Sequence, residues 1–169
     1  MAEIITRARW HTREDSGLAL DRQLRWTHDG LPFEHPKVIE LFNTSLQLED
    51  DGRYVVRIGK DWAYVQVEDA AFEVRTVDVT DDGRLSIRLS DRTATLLDLD
   101  SLERDVDGVL TCRVKEGRAK ARFSRDAQFQ LGSLLEMDGD QMVLRAGEST
   151  LPLPRALQEA LESEGAAGA

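Results

Sequence analysis

Apolar and polar residues alternate along much of this chain, and the alternation is cut by turn signals. Leu85, Ile87 and Leu89 share one parity against Ser86, Arg88 and Ser90, and Ala63, Val65 and Val67 oppose Trp62, Tyr64 and Gln66. A period of two places each set on one face of a strand. Asp29-Gly30, Asp51-Gly52, Asp82-Gly83, Asp107-Gly108, Glu116-Gly117 and Asp138-Gly139 supply the positive φ of tight turns. Strands are predicted near 54–58, 62–67, 72–79, 84–89, 92–97, 109–115, 118–123 and 142–146. Within 72–79 the parity switches between Phe72/Val74 and Val77/Val79, which predicts a bulge or a buried strand end.

Three segments carry the helical period instead. Over 36–46, Pro36 suits the first turn and Val38, Ile39, Phe42 and Leu46 form a stripe. Over 125–136, Ser124 is the N-cap and Ala127, Leu131, Leu134 and Leu135 repeat at helical spacing. The last helix begins at Pro154, with Leu157, Ala160 and Leu161 inward.

The order turn, Phe, helix, turn, strand, Gly occurs twice. Gly30, Phe33, Leu41, Gly52 and Gly59 correspond to Gly117, Phe123, Leu131, Gly139 and Gly147 at offsets of 87 to 90 residues. The predicted fold is α+β: two duplicated small units with curved, mainly antiparallel sheets and one helix each. The units are expected at 20–100 and 101–164, between arms at 1–19 and 165–169.

Composition narrows the function classes. Hydrophobic residues are 41% and charged residues 32%, so a packed core is expected. The start lacks the apolar stretch of a signal peptide, and no run has the ~20 apolar residues of a membrane span. Cys112 is the single cysteine, which excludes an internal disulfide and points to the cytoplasm. A net charge of −10 disfavours DNA, RNA and anionic membranes as partners unless cations cluster locally.

They cluster once. Residues 113–125 carry Arg113, Lys115, Arg118, Lys120, Arg122 and Arg125 against Glu116 alone. On a strand, Arg118, Lys120 and Arg122 lie on one face opposite Ala119, Ala121 and Phe123. Such a face fits a phosphate-bearing ligand, or is a solvated strand face; reversing Arg118, Lys120 and Arg122 to Glu is expected to leave the fold intact and to remove binding of an anionic ligand. Glu68 and Asp69, at a strand end, fit acceptors for a ribose or base, or a charged turn that pairs with the basic face. Trp62 and Tyr64 share a strand face and could stack a base or pack under a helix.

Catalytic chemistry is poorly represented. There is no Gly-x-Ser-x-Gly elbow, Walker loop or Gly-x-Gly-x-x-Gly. His28, Asp29, Glu34 and His35 match no zinc spacing, and His35 is read as shaping the entry to the helix at Pro36. Cys112 shares parity with Leu110 and Val114 and is read as a buried apolar residue. No cofactor is expected.

Several segments resemble a known family. Trp26-Thr27-His28-Asp29-Gly30-Leu31-Pro32-Phe33, Glu40-Leu41-Phe42, Glu49-Asp50-Asp51-Gly52-Arg53-Tyr54 and Val67-Glu68-Asp69-Ala70-Ala71-Phe72 resemble the bacterial domain-of-unknown-function family 1285. Val114-Lys115-Glu116-Gly117-Arg118-Ala119-Lys120-Ala121 is similar to the turn in that family's second half. The resemblance spans about residues 20–150. It implies a duplicated fold whose second half is loosely like a pleckstrin-homology barrel. It further implies an inter-domain cleft for a nucleotide-like ligand and a role in signal transduction. The functional expectation is a non-enzymatic sensing or regulatory domain that binds a small anionic ligand. The alternative is a protein-interaction adaptor without one.

Overall fold

The computed structural model describes residues 12–168. The chain divides into two compact units, the first ending at Glu68 and the second starting at Asp69.

In the first unit, β1 (Leu18–Leu20), β2 (Trp26–His28) and β3 (Leu31–Pro32) precede α1 (Pro36–Ser45), followed by β4 (Leu46–Leu48), β5 (Tyr54–Ile58) and β6 (Asp61–Val67). They form one six-stranded sheet in the order β3-β2-β1-β6-β5-β4. All its pairings are antiparallel except β1 with β6, where Ala19 faces Gln66 and Leu20 faces Val67. The β2–β3 turn is the two-residue Asp29-Gly30, with φ of 48° and 82°. Two successive positive φ values define the hairpin turn whose twist matches the strands, which is why Asp-Gly stands there.

His35 caps α1: its Nδ1 accepts from the Lys37 amide at 3.2 Å, and Pro36 needs no amide partner. Trp26 is the centre of this unit's core, 1% exposed, with Leu20, Leu46, Val56 and Val65. Its ring lies 5.2 Å from Phe42 of α1, and its Nε1 donates to Asn43 Oδ1 at 2.7 Å. Phe33 meets Phe42 edge to face at 5.1 Å.

The second unit contains β7 (Phe72–Val79), β8 (Leu85–Leu89), β9 (Ala94–Leu96), β10 (Glu103–Arg104), β11 (Leu110–Val114), β12 (Ala119–Phe123) and α2 (Arg125–Gly132). After these come β13 (Leu135–Asp138), β14 (Gln141–Ala146), β15 (Ser149–Pro152) and α3 (Arg155–Ala167). Strands β7 to β12 form a second six-stranded sheet, ordered β10-β11-β12-β7-β8-β9, and β13-β14-β15 form a separate antiparallel sheet. Here too a single pairing is parallel, β12 with β7, where Ala121 faces Phe72. The expected bulge lies in β7, where the register against β8 shifts between Val74 and Thr76. That shift lets Val74 and Val77 both be buried.

The fold is duplicated. A helix followed by a three-stranded meander occurs as α1-β4-β5-β6 and as α2-β13-β14-β15. The last two strands of each copy are joined by a two-residue loop opening on glycine, Gly59 (φ 61°) or Gly147 (φ 62°). Only the first meander extends into a larger sheet, through β6 and β1.

The compact units divide between Glu68 and Asp69, and β7, β8 and β9 join the sheet of β11 and β12. The structure departs from the sequence reading in three places. The second helix stops at Gly132 instead of 136: Ser133 caps it, and Leu135 leaves to pair with Leu144. The part of the expected N-terminal arm that is described, from Thr12 on, is tied down. Tyr64 N donates to Arg13 O at 2.9 Å, Ser16 Oγ donates to Tyr64 O at 2.6 Å, and β1 begins at Leu18. At the other end, α3 continues through the expected tail to Ala167.

Cys112 is 1% exposed on β11, as its parity predicts. Burial, with a contribution from the Asp98 charge, pushes its thiol up to about 12. The thiolate is the reactive form. A thiol reagent is therefore expected to label the native protein slowly and the urea-unfolded protein at the rate of a free cysteine. Equal rates would place Cys112 at the surface.

Candidate functional site

The basic segment forms the β11–β12 hairpin, and its alternation is as expected: Ala119, Ala121 and Phe123 are buried while Lys120 and Arg122 lie on the other face. The partners on that face are carboxylates. Lys120 Nζ lies 2.8 Å from Asp69 Oδ1. Arg122 pairs with Asp105, and both side chains are nearly enclosed, at 11% and 7% exposed. Lys115 Nζ contacts Asp91 Oδ2 at 2.5 Å and sits 4.9 Å from the Phe72 ring centre.

Lys120 and Arg122 are thus held in ion pairs, so reversing either one would set carboxylate against carboxylate and is expected to cost stability. Arg113 and Arg118 are exposed, as is Arg125 at the start of α2.

Asp105 shows how tightly this arrangement is set. Burial alone would raise its carboxyl. The amides of Val109 and Asp107, each at 2.9 Å, and the Arg122 guanidinium hold it below its ordinary value instead. Asp91 is also lowered: burial opposes, and Lys115 and Thr93 prevail.

Glu68 and Asp69 follow the end of β6. Glu68 Oε2 accepts from the Arg22 amide at 3.1 Å. Asp69 gives one oxygen to Lys120, while Oδ2 is buried without a hydrogen bond.

Trp62 and Tyr64 are different. Cross-strand register places Arg57 opposite Trp62, Val55 opposite Tyr64 and Ala19 opposite both Gln66 and Thr27. These residues share one face of the first sheet, and the core side chains Leu20, Trp26, Val56 and Val65 occupy the other. On that first face Trp62 and Tyr64 meet edge to face at 5.2 Å. Arginines cover the rings: Arg53 stands 4.1 Å from the Tyr64 centre, and Arg13 and Arg57 stand 5.4 and 5.9 Å from Trp62. Asp51 and Glu49 in turn hold Arg53 and Arg57 at 2.6 and 2.8 Å. Arg53 keeps the Asp51 carboxyl below its ordinary value through their hydrogen bond.

Beside this cluster the sheet bounds a groove of about 710 Å³, lined among others by Arg53, Tyr64, Gln66, Thr27, Glu14 and Asp29. Its volume lies in the range of small-molecule sites. Arginines 53 and 57 were not among the sequence candidates. A signal for Arg57 was present: Gly59-Lys60 is a two-residue hairpin loop, and counting back from it sets Arg57 against Trp62.

The other candidate chemistries are engaged locally. His28 Nε2 lies 3.1 Å from Ser16 O, and His35 caps α1. Among the described residues no group of three or more His, Cys, Asp and Glu side chains is arranged to hold a metal ion. Among them, too, no helix is long and apolar enough to cross a membrane.

No family model and no curated protein matches the chain. A solved structure does: the DUF1285 family protein from Silicibacter pomeroyi DSS-3 aligns over 88% of this chain and 84% of its own, with a TM-score of 0.61 and 22% identity. The fold is DUF1285-like. A second DUF1285 family protein, from Shewanella baltica OS155, aligns over 65% of this chain and 85% of its own, with a TM-score of 0.47 and 20% identity. The DUF1285-like fold accounts for the duplicated α+β architecture and carries no assigned chemistry.

Proposed function

We propose that this chain is a non-enzymatic cytoplasmic sensing module that binds a nucleotide-like anion in the groove beside the first unit's sheet. The observation that carries the reading is Arg53 on the Tyr64 ring, both lining the groove, next to the Trp62 ring that meets Tyr64 and carries Arg13 and Arg57. An arginine stacked on a ring offers its other face to a base and its edge donors to a phosphate. Gln66 and the carboxylates of Glu14 and Asp29 line the same groove and suit ribose hydroxyls. A binding role without catalysis fits the remaining chemistry, since Cys112 is buried and protonated and His28 and His35 serve the local fold.

Thermal denaturation with AMP, adenosine and inorganic phosphate tests this. AMP is expected to stabilise the protein by about 2.7 kcal/mol at a hundredfold excess over its dissociation constant. Tyr64→Ala or Arg53→Ala should weaken AMP binding by about tenfold or more, the loss typical of one stacking contact. Arg113→Glu should leave it unchanged. Absence of a shift with AMP at millimolar concentration would overturn the reading and favour a protein-interaction adaptor.

A further inference from the structure

The second unit contains a cavity that the proposed nucleotide site does not use. It measures about 240 Å³ and lies among β10, β11, α2, β14 and α3. Seven of its ten lining residues are leucines, contributed by every one of these elements except β10 and by the chain on either side of β14. Interiors packed near crystal density leave few spaces of this size between elements, and this one opens in part to solvent. A leucine-lined cavity of roughly 150 Å³ is enough to hold benzene.

Two polar side chains line it, Gln128 and Arg104. Gln128 is committed to the backbone: its Oε1 accepts from Leu110 N at 2.9 Å and its Nε2 donates to Gly108 O at 3.1 Å. Arg104 Nε donates to the same Gly108 carbonyl at 3.1 Å. The rest of its guanidinium faces a carboxylate, that of Glu164 on α3, in an ion pair in which Arg104 is 25% and Glu164 58% exposed.

We propose that this cavity takes the hydrocarbon chain of a medium-chain carboxylic acid, with Arg104 binding the head group in place of Glu164. The apolar walls supply the affinity for the chain. The geometry also fixes the charge of the head group. A fixed cation beside a leucine-lined cavity selects an acid over an alcohol or amine of equal length, because only the acid replaces the Glu164 carboxylate in kind. Glu164, on a mostly exposed helical position, is the displaceable partner: it satisfies Arg104 when the cavity is unoccupied and returns to water when a ligand binds. The inference stands apart from the nucleotide reading, since no residue is shared between the two sites.

Isothermal titration of the full chain with octanoate and with octanol is the test. Octanoate is expected to bind with one-to-one stoichiometry, and octanol about tenfold or more weaker, as for loss of one charge-assisted contact. Glu164→Gln removes the internal competitor and should tighten octanoate while leaving octanol unchanged. Leu161→Trp, a half-buried lining position on α3, should fill the cavity and abolish both. Because Glu164 is mostly exposed, its variant keeps the fold and the experiment stays decisive even if Leu161→Trp does not. Failure of octanoate to bind either the parent or Glu164→Gln overturns the proposal. So does equal affinity for octanoate and octanol in Glu164→Gln.

Discussion

Arg122→Glu is expected to destabilise the second unit by about 3–5 kcal/mol, the cost of breaking a buried ion pair and leaving one charge uncompensated. Asp105 cannot relax away from the new carboxylate, because the amides of Asp107 and Val109 hold it in the loop before β11. Against a typical total of about 5–15 kcal/mol, that loss leaves a protein unfolded in part near 37 °C. Urea denaturation followed by circular dichroism reads it directly. The double variant Arg122→Met with Asp105→Asn should recover much of the loss, since neither charge then remains buried alone. A parent-like midpoint for Arg122→Glu would mean that the face is solvated.

The same pair predicts a pH dependence. Asp105 and Asp91 both have carboxyls lowered in the folded state. A lowered acid contributes stability that is complete above its unfolded value, 3.8 here, and is lost as pH falls through the folded value. Glu73 has the opposite sign: burial raises it, with Arg75 opposing, so its contribution is present at low pH and lost as pH rises through its folded value. Urea midpoints should fall steeply below about pH 4, and less steeply in a variant lacking Asp105.

Trp26→Ala is expected to be the most damaging change in the first unit, at about 3–5 kcal/mol. The helix it supports has no fully buried residue of its own. α1 is attached through Trp26 and Phe33 on one side and Phe42 and Asn43 on the other. Removing the indole takes away the ring that Phe42 packs on and leaves the Asn43 amide oxygen without its donor. Hydrogen exchange of the α1 amides should rise sharply in Trp26→Ala. It should rise far less in Asn43→Ala, which loses one hydrogen bond and keeps the ring contact. Unchanged exchange in Trp26→Ala would show that α1 is held by other contacts.

The legible parts of this fold are those whose cause is local. Strands such as β8 and β12 show their alternation over five residues, and the β7 bulge is visible as a parity switch. β1, β2 and β4 have three residues each and exist because of their neighbours, so no periodicity could announce them. Leu134 and Leu135 continue the helical spacing of α2, yet Gly132 and the pairing of β13 with β14 end the helix before them.

The candidate site divides the same way. That Lys120 and Arg122 share a face follows from the strand period. That their partners are Asp69 and Asp105 does not, because those carboxylates lie 51 and 17 residues away. Trp62 and Tyr64 were legible as a pair on one face, and Arg57 was recoverable from the hairpin register, whereas Arg53 and Arg13 lie outside it.

The parallel pairing of β12 with β7 also sets an order of events at the ribosome. Forty-nine residues separate Phe72 from its partner Ala121. At about 5–20 residues per second, several seconds pass between synthesis of the first and the second. During that interval the β7–β8 hairpin can form, but the β7 edge that β12 later covers displays unpaired amides and carbonyls beside Phe72 and Val74. Such an edge is a template for another chain. Any change that slows elongation between residues 80 and 120 lengthens this exposure. It should therefore lower the soluble yield of the protein while leaving the stability of each molecule that does fold untouched.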